Sequence, residues 1–293
     1  MSRLSTWVAY IPLSARYMLL SSMGFALMSA CVKALGASGI PVLEIVAARS
    51  LISVVISSLD IRRKRIPMLG HNRPLLLLRG VFGTIGLMSV FYSLTTLPFA
   101  QATVLQYTYP TFTAILALFF LRERVQLATI ICIALSFVGL LVVTAPNWSH
   151  SLPAKVPWLS LAVALLGAFA SGCAYVVVRK LARSEDSSVI ILYFPMIAFP
   201  ISTLLLGSDF IMPDLTQLLL ILMVGVFVQL GQEGMTRAMA IENAGKVSAY
   251  GYVQVLFAAL LGLLFFAEVP TLWTIGGGLL IVAGALINTL GKS

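Results

Sequence analysis

The sequence predicts an all-α integral membrane protein, with ten transmembrane helices arranged as two inverted five-helix repeats around a central cavity. Three observations lead to this fold class. Hydrophobic residues make up 60% of the 293 residues and charged residues only 10%, whereas a soluble domain needs a more charged surface. The chain divides into ten apolar segments of membrane-spanning length. A long segment near its middle is similar to another near its end.

Each predicted span is an apolar run close to the roughly 20 residues that a helix needs to cross a bilayer. Proline, glycine and charged residues separate the runs, as is typical of connecting loops. In chain order the spans are predicted at 17–35, 41–60, 75–96, 99–121, 127–145, 157–178, 187–207, 215–237, 244–267 and 271–290.

The internal repeat relates Leu97–Arg124 to Ile241–Glu268. Each copy begins with small and polar residues, passes a tyrosine and glutamine patch, becomes apolar and ends with two phenylalanines and a nearby glutamate. A repeat of this length indicates two homologous halves. Because each half has five spans, an odd number, the second half crosses the membrane in the opposite sense. The predicted organisation is an N-terminal cytoplasmic or interfacial leader at 1–16, a first repeat at 17–145, an outer linker at 146–156 and a second repeat at 157–290.

Lysine and arginine concentrate on one side of this topology. With the N-terminus in the cytoplasm, sixteen of the nineteen basic residues lie on the cytoplasmic side, Lys33 and Lys155 lie outside, and Arg49 lies within a span. This bias follows the positive-inside rule and predicts cytoplasmic termini in a bacterial inner membrane. It also accounts for the net charge of +9, so the bilayer is the expected partner and nucleic acid is not.

Few residues suit catalysis or metal binding. Cys31, Cys132 and Cys173 lie in apolar runs without a CxxC pair, and His71 and His150 fall in loops. The chain contains no GxxxxGK[ST] sequence for nucleotide phosphates. We therefore predict no enzyme activity, no metal and no cofactor.

The two halves carry a recognisable set of residues near the ends and turns of their spans. The set comprises Arg49, Arg79–Gly80, Leu97–Pro98, Ala100, Ala102, Pro110, Glu123, Gly139, Ala244, Glu268 and Gly284. With these residues the chain, from about 17 to 290, resembles the drug/metabolite transporter superfamily, specifically the EamA-type ten-helix carriers. The resemblance implies efflux or exchange of small polar metabolites, and exporters of aromatic and other amino acids are among the members.

The halves also differ at specific positions. The second half has Gln254–Val255 where the fourth span has Pro110, and no arginine corresponds to Arg49. The glycine that usually precedes the glutamate is replaced by Arg122 in one half and Ala267 in the other. We expect the gate and the substrate contacts at such positions, because exact symmetry is broken there.

Arg49 is the charged residue predicted near the membrane midplane, because it lies about eight residues into the second span. A charge at that depth costs at least a few kcal/mol. One interpretation is a clamp for a substrate carboxylate or phosphate. The other is a structural arginine that satisfies backbone carbonyls or an acidic partner. Glu44 is a poor partner, since it lies about 140° around the same helix.

Further polar residues mark candidate cavity walls. Gln229, Glu233 and Arg237 form a stripe along the eighth span, in which Glu233 either binds a proton or an ammonium group or pairs with Arg237. On the fourth span Gln106, Tyr107 and Tyr109 are predicted to face Tyr250, Tyr252 and Gln254 of the ninth, with Tyr92 and Tyr175 as additional cavity residues.

Glu123 and Glu268 each precede a new helix, where a carboxylate complements the positive helix N-terminus. We predict a gating or structural role for both and for Pro110.

The predicted function is secondary transport, by alternating access, of amino acids and related small zwitterionic metabolites. Two alternatives remain open: a carrier of an anionic or nucleotide-like metabolite, and a membrane scaffold without transport. The expected partners are a small-molecule substrate and lipid, and the oligomeric state is either monomer or homodimer.

Overall fold

The chain folds into a helical bundle, described here from a computed structural model that covers residues 11–97, 99–145, 158–267 and 271–290. These residues contain no strand. Ten of the helical segments among them are long and apolar enough to cross a membrane. The predicted all-α membrane fold is therefore confirmed.

Twelve α-helices within the described residues form the ten spans. The first half contains α1 (Leu13–Ala37), α2 (Val42–Lys64), α3 (Arg73–Thr96), α4 (Phe99–Gln106), α5 (Tyr109–Leu116) and α6 (Leu127–Thr144). The second half contains α7 (Trp158–Leu181), α8 (Ser187–Leu206), α9 (Leu215–Ile241), α10 (Ala244–Ala249), α11 (Val253–Phe266) and α12 (Leu272–Leu290). Helices α4 and α5 belong to the fourth span, and α10 and α11 to the ninth.

Polar residues in the loops fix where several helices begin. The Asp214 side chain accepts a hydrogen bond from the backbone N–H of Gln217. The Gln217 side chain accepts one from the backbone N–H of Asp214, and the two bonds form a capping box at α9. Asp186 caps α8 by accepting from the Ser188 amide at 2.9 Å. Asn72 caps α3 in the same way, and Pro74 follows in its first turn.

The fourth and ninth spans are broken at equivalent positions, which differs from the continuous helices predicted at 99–121 and 244–267. An offset of 145 residues relates Glu123 to Glu268, and the same offset relates Tyr107 to Tyr252. Tyr107 lies between α4 and α5, and Tyr252 lies in the 3₁₀ turn between α10 and α11. In the fourth span Pro110 has no N–H for the carbonyl of Gln106, which weakens the helix there.

The two halves interleave around an approximate two-fold axis. The most extensive packing is between α1 and α9, α3 and α7, α2 and α8, and α6 and α12. Each of these pairs joins a helix of one half to a helix of the other. When each helix is replaced by its repeat counterpart, the α1–α9 pair becomes the α7–α3 pair. The α2–α8 pair and the α6–α12 pair each become themselves. This pattern is that of an inverted repeat.

The fifth and tenth spans pack through glycines within the monomer. A Cβ atom added to Gly139 would lie 2.6 Å from the Gly277 carbonyl oxygen. A Cβ atom at Gly284, the repeat counterpart of Gly139, would lie 3.1 Å from the carbonyl oxygen of Cys132. The absence of side chains at these positions lets α6 and α12 approach closely.

Apolar clusters close both ends of the bundle. We call the end where Arg62–Arg65 terminates α2 and Arg73 begins α3 the basic end. The largest cluster lies towards that end and includes Leu76, Leu181, Ile190 and Met239, while a second cluster at the opposite end contains Leu35, Ile40, Ile45, Ile221 and Val224. Along α2, Arg49 lies between Ile45 of the second cluster and Ile61 of the largest cluster.

Candidate functional site

Arg49 projects from α2 into the interior between the two apolar layers. It is the eighth residue of α2, about 10 Å along the helix from its first residue, and it is 9% exposed. Its Nη1 contacts the Met28 sulfur at 3.6 Å. Its guanidinium carbon lies 5.7 Å from the ring centroid of Phe194. Phe194 is the residue that the 145-residue offset assigns to Arg49, so the repeat places an aromatic ring where the first half has a charge.

Arg79 reaches the same ring from α3. Its guanidinium carbon lies 5.2 Å from the Phe194 centroid, and its side chain is 4% exposed. Its Nη2 donates to Gln232 Oε1 at 3.1 Å, while its Nε has no hydrogen-bond partner. The sequence interpretation assigned Arg79 to the positive side and missed this position. The signal that could have found it is the helix start at Asn72–Arg73, which places Arg79 about 9 Å inside the span.

Neither Arg49 nor Arg79 forms a salt bridge in the part of the chain that the structure describes. A buried guanidinium without an acidic partner costs several kcal/mol. Cation–π contact with Phe194 recovers only part of this free energy. We call Arg49, Phe194 and Arg79 together the arginine site.

Two glutamines of α9 connect the arginine site to its surroundings. Gln232 accepts the hydrogen bond from Arg79, and Gln229, one turn earlier, donates to Ser57 Oγ of α2 at 3.0 Å. The Oε1 atom of Gln229 is buried and unpartnered. The predicted cavity residue Gln229 therefore lies on the helix face that links α2 to α3.

Tyrosines from both halves form an aromatic cluster beside these helices. Tyr107 stacks on Tyr252, with ring centroids 5.7 Å apart, and Tyr252 donates to the Tyr107 carbonyl at 2.8 Å. Tyr109 packs against Tyr175 of α7 with centroids 5.0 Å apart. The Tyr109 hydroxyl also lies against Gly251 of the ninth span. The structure therefore places the tyrosines of the fourth span against the ninth and sixth spans.

The other predicted cavity residues lie around the edge of this cluster. Gln106 donates to Ser171 of α7 at 3.4 Å, and Tyr250 accepts from Thr289 of α12 at 3.3 Å. Gln254 is half-buried, and Tyr92 is 39% exposed. Their use by a substrate stays a prediction.

Glu123 joins four spans at the basic end. One carboxylate oxygen accepts from Arg179 Nε at 2.7 Å and from Arg183 at 3.4 Å. The other accepts from the backbone amide of Ala244 at 2.8 Å. Arg179 also donates to the carbonyl of Met239. The sequence predicted that Glu123 complements a helix N-terminus, and the helix in question is α10 of the other half, not the helix that follows Glu123. Glu268 and its surroundings lie outside the described residues.

A second polar network links α2 to α8 at the basic end. Lys64 contacts Asp60 at 2.7 Å and Asp186 at 2.9 Å, and Ser188 donates to Asp60. Burial raises the pKa of Asp186, but hydrogen bonds from Lys64 and Ser188 outweigh burial and hold the pKa below its usual value. Beside this network lies a cleft of about 400 Å³, lined by Leu13, Tyr17, Lys64, Ala182, Glu185, Asp186, Ser187, Thr236, Arg237, Ala240 and Ile241.

Glu233 belongs to the wall of this basic end and not to the arginine site. Its carboxylate accepts from Arg237 at 2.7 Å and from Ser187 at 2.8 Å. This pairing is the second of the two roles that the sequence left open. Among the described residues no group of histidine, cysteine, aspartate and glutamate could hold a metal ion.

Ten spans in two interleaved halves, with paired arginines between two apolar layers, define a multi-pass membrane transport protein. The chain belongs to the EamA-like transporter family, whose model matches it twice, at residues 13–145 and 158–290. The resemblance drawn from the sequence is thereby confirmed, and the chain is a transporter of small metabolites rather than an enzyme.

Individual relatives agree with this assignment. The pseudopaline exporter CntI of Pseudomonas aeruginosa is 34% identical over 270 residues, which cover 91% of this chain and 92% of the relative. Solute carrier family 35 member G1 of Mus musculus is 30% identical, over 94% of this chain and 77% of the relative. The S-adenosylmethionine uptake transporter of Rickettsia prowazekii is 25% identical over 73% of this chain and 71% of the relative. A solved crystal structure at 18% identity matches with a TM-score of 0.81 and covers 97% of both chains, which supports the fold.

Proposed function

We propose that this protein is a secondary transporter that exports or exchanges amino acids and related small zwitterionic metabolites across a bacterial inner membrane. The observation that carries the proposal is the arginine site. A guanidinium held inside a membrane protein without an acidic partner is available to a substrate carboxylate, with which it forms charge-assisted hydrogen bonds. The neighbouring tyrosines offer apolar faces for the remainder of such a substrate.

The basic end faces the cytoplasm in this proposal, together with both termini. The concentration of arginine and lysine at Arg62–Arg65 and Arg73 supports this orientation through the positive-inside rule. Export then moves substrate from the cleft at the basic end to the opposite side of the membrane.

Alternating access in this proposal uses the basic-end networks as one gate. Glu123 connects the fourth span to α7 and α10, and Lys64 connects α2 to α8, so opening this end breaks contacts between the halves. Glu233 and Arg237 belong to the same gate. At the opposite end the cluster around Leu35, Ile45 and Val224 forms the other gate. Pro110 weakens the fourth span where the halves meet, which suits a hinge.

A flux assay in proteoliposomes tests the function. Purified protein is reconstituted, and a panel of labelled amino acids, nucleotides and sugars is offered with and without a pH gradient. We expect flux of at least one amino-acid-type metabolite, and the pH-gradient arm distinguishes proton coupling from exchange. Flux of nucleotides or sugars without any amino-acid flux would show that the proposed substrate class is wrong.

A second candidate function is a carrier of an anionic or nucleotide-like metabolite. Arg79 favours this candidate, because it is a second buried arginine that lies against the Phe194 ring together with Arg49. Competition assays with the Arg49→Gln variant separate the two. If the substrate is an anionic metabolite, the variant loses competition by nucleotides and organic phosphates and not by amino acids.

A further inference from the structure

The arginine site carries two positive charges within a short distance. The guanidinium carbons of Arg49 and Arg79 lie 5.7 Å and 5.2 Å from the Phe194 centroid. These two distances together set an upper limit of 10.9 Å on the separation of the two carbons. Two carboxylates a few bonds apart on one small molecule can therefore reach both guanidinium groups.

Three buried polar groups that are close in sequence to Arg49 or Arg79 have no hydrogen-bond partner among the described residues. Arg79 Nε and the hydroxyls of Ser50 and Ser53 are buried without a partner. Both serines lie on α2 within one turn of Arg49. Buried donors of this kind are normally satisfied, since an unmade hydrogen bond costs about 1–3 kcal/mol. Each of these three groups can donate a hydrogen bond, and an anionic oxygen accepts several at once, so a carboxylate suits them.

One orphan acceptor completes the site. Gln229 Oε1 is buried and unpartnered, and Gln229 is one helical turn from Gln232, which holds Arg79. An amide oxygen accepts a hydrogen bond from an ammonium group. The polar groups thus suit a molecule with more than one carboxylate and a single ammonium.

The net charge of the occupied arginine site distinguishes substrates with one carboxylate from substrates with two. A zwitterion with a single carboxylate leaves the double positive charge of the site unchanged, because its own ammonium cancels its carboxylate. A compound with two carboxylates and one ammonium reduces the charge to one, and a dicarboxylate without an ammonium neutralises it. In a medium of low dielectric constant each uncompensated charge costs several kcal/mol.

We propose that the arginine site binds substrates with at least two carboxylates, one at each guanidinium, and that acidic amino-acid compounds are preferred over neutral ones. This inference rests on the proposed function and narrows it. Arg49 and Arg79 are its specificity-determining residues, and Gln229 receives the ammonium where one is present.

L-glutamate and L-glutamine provide a matched test, since they have nearly the same shape and differ by one carboxylate. Uptake or competition is measured in proteoliposomes for both, with glutarate as a dicarboxylate that has no ammonium. We expect glutamate and glutarate to compete at least about tenfold better than glutamine, the effect of one charge-assisted hydrogen-bonded contact. Equal competition by glutamate and glutamine overturns the inference.

Variants of Arg79 test whether this residue determines the preference for glutamate over glutamine. Arg79→Gln is expected to reduce the glutamate-to-glutamine ratio to near one, and Arg79→Lys to retain part of it. Arg62→Gln, an exposed arginine on α2, is the control and is expected to leave the ratio unchanged. If Arg79→Gln does not fold, the wild-type ratio alone decides the question. Flux of neutral amino acids without glutamate or glutarate overturns this inference and leaves the proposed function intact, whereas no flux of any amino acid or of glutarate refutes both.

Discussion

The ring of Tyr107 stacks on the ring of Tyr252, with centroids 5.7 Å apart and planes inclined by 25°. The 145-residue offset of the repeat relates these two tyrosines to each other. Each lies where its span is interrupted, and the hydroxyl of Tyr252 donates to the backbone of Tyr107. The pseudo-two-fold axis therefore passes through an aromatic contact between two broken helices, which is where inverted-repeat transporters place their substrate sites.

Removing the Tyr252 ring is expected to lower the free energy of unfolding far more than removing its hydroxyl. Tyr252 is fully buried. Tyr252→Phe loses one hydrogen bond and should reduce the free energy of unfolding by about 1 kcal/mol. Tyr252→Ala also leaves a cavity between the halves and should cost about 3–5 kcal/mol. Unfolding in detergent measures both, with Phe265→Ala as a control at an exposed ring of the same span. Equal losses for Tyr252→Ala and Phe265→Ala would contradict the structural role of the stack.

Glu123 is expected to stabilise the closed basic end through Arg179 and not through Arg183. The Glu123 and Arg179 side chains are both 7% exposed, whereas the Arg183 side chain is 59% exposed. Glu123→Gln leaves a buried arginine unpaired and should cost about 3–5 kcal/mol. Arg183→Gln removes an exposed contact and should cost less than about 1 kcal/mol. Thermal unfolding of the two variants checks this difference. Similar losses of stability would show that the buried pair stabilises the protein no more than the exposed contact.

The sequence was sufficient for the architecture because hydrophobicity and charge bias act locally. Span number follows from apolar length, the two halves from the internal repeat, and their inversion from the odd number of spans in each half. Arg49 also stood out, since an arginine within an apolar run has no local explanation.

The site required contacts that the sequence does not display. Arg79 was counted with the basic loop residues, because its depth depends on where α3 begins, at Arg73. Phe194 has no signal of its own in an apolar span, and only the repeat offset from Arg49 points to it. The helix that Glu123 caps belongs to the other half, which local sequence cannot indicate. The misses at Phe194 and Glu123 involve contacts between distant parts of the chain, whereas the miss at Arg79 concerns where a helix begins.

Close packing of the fifth and tenth spans is expected to reject a methyl group at Gly139. Its Cβ would lie 2.6 Å from a backbone oxygen of α12, so the helices must separate. Gly139→Ala should therefore cost about 1–3 kcal/mol. The matched control is Gly276→Ala on α12, where a Cβ would meet nothing within 4 Å. That variant should be neutral or stabilising by up to about 1 kcal/mol, since alanine favours helix over glycine. The prediction is wrong if both variants unfold at the same temperature.

The contact between Asp186 and Lys64 is expected to be independent of pH between 5 and 8. The pKa of Asp186 lies below its usual value of 3.8, because Lys64 and the Ser188 amide favour the ionised form. A lowered carboxyl pKa stabilises the folded state above the unfolded pKa, and this stability is lost as the pH falls through the folded value. The window of loss therefore lies in acid below about pH 4.

Asp186→Asn tests this expectation against the control Asp209→Asn, a substitution in the exposed loop after α8. The Asp186 side chain is 34% exposed, so Asp186→Asn should lower the free energy of unfolding by less than about 1 kcal/mol. Melting temperatures of wild type and variant, measured from pH 3 to 8, should differ by a constant amount above pH 5 and converge below pH 4. A difference that changes between pH 5 and 8 would mean that Asp186 titrates there. If the difference is constant while flux responds to a pH gradient, the coupling proton binds elsewhere, and the gate formed by Lys64 and Asp186 opens without releasing one.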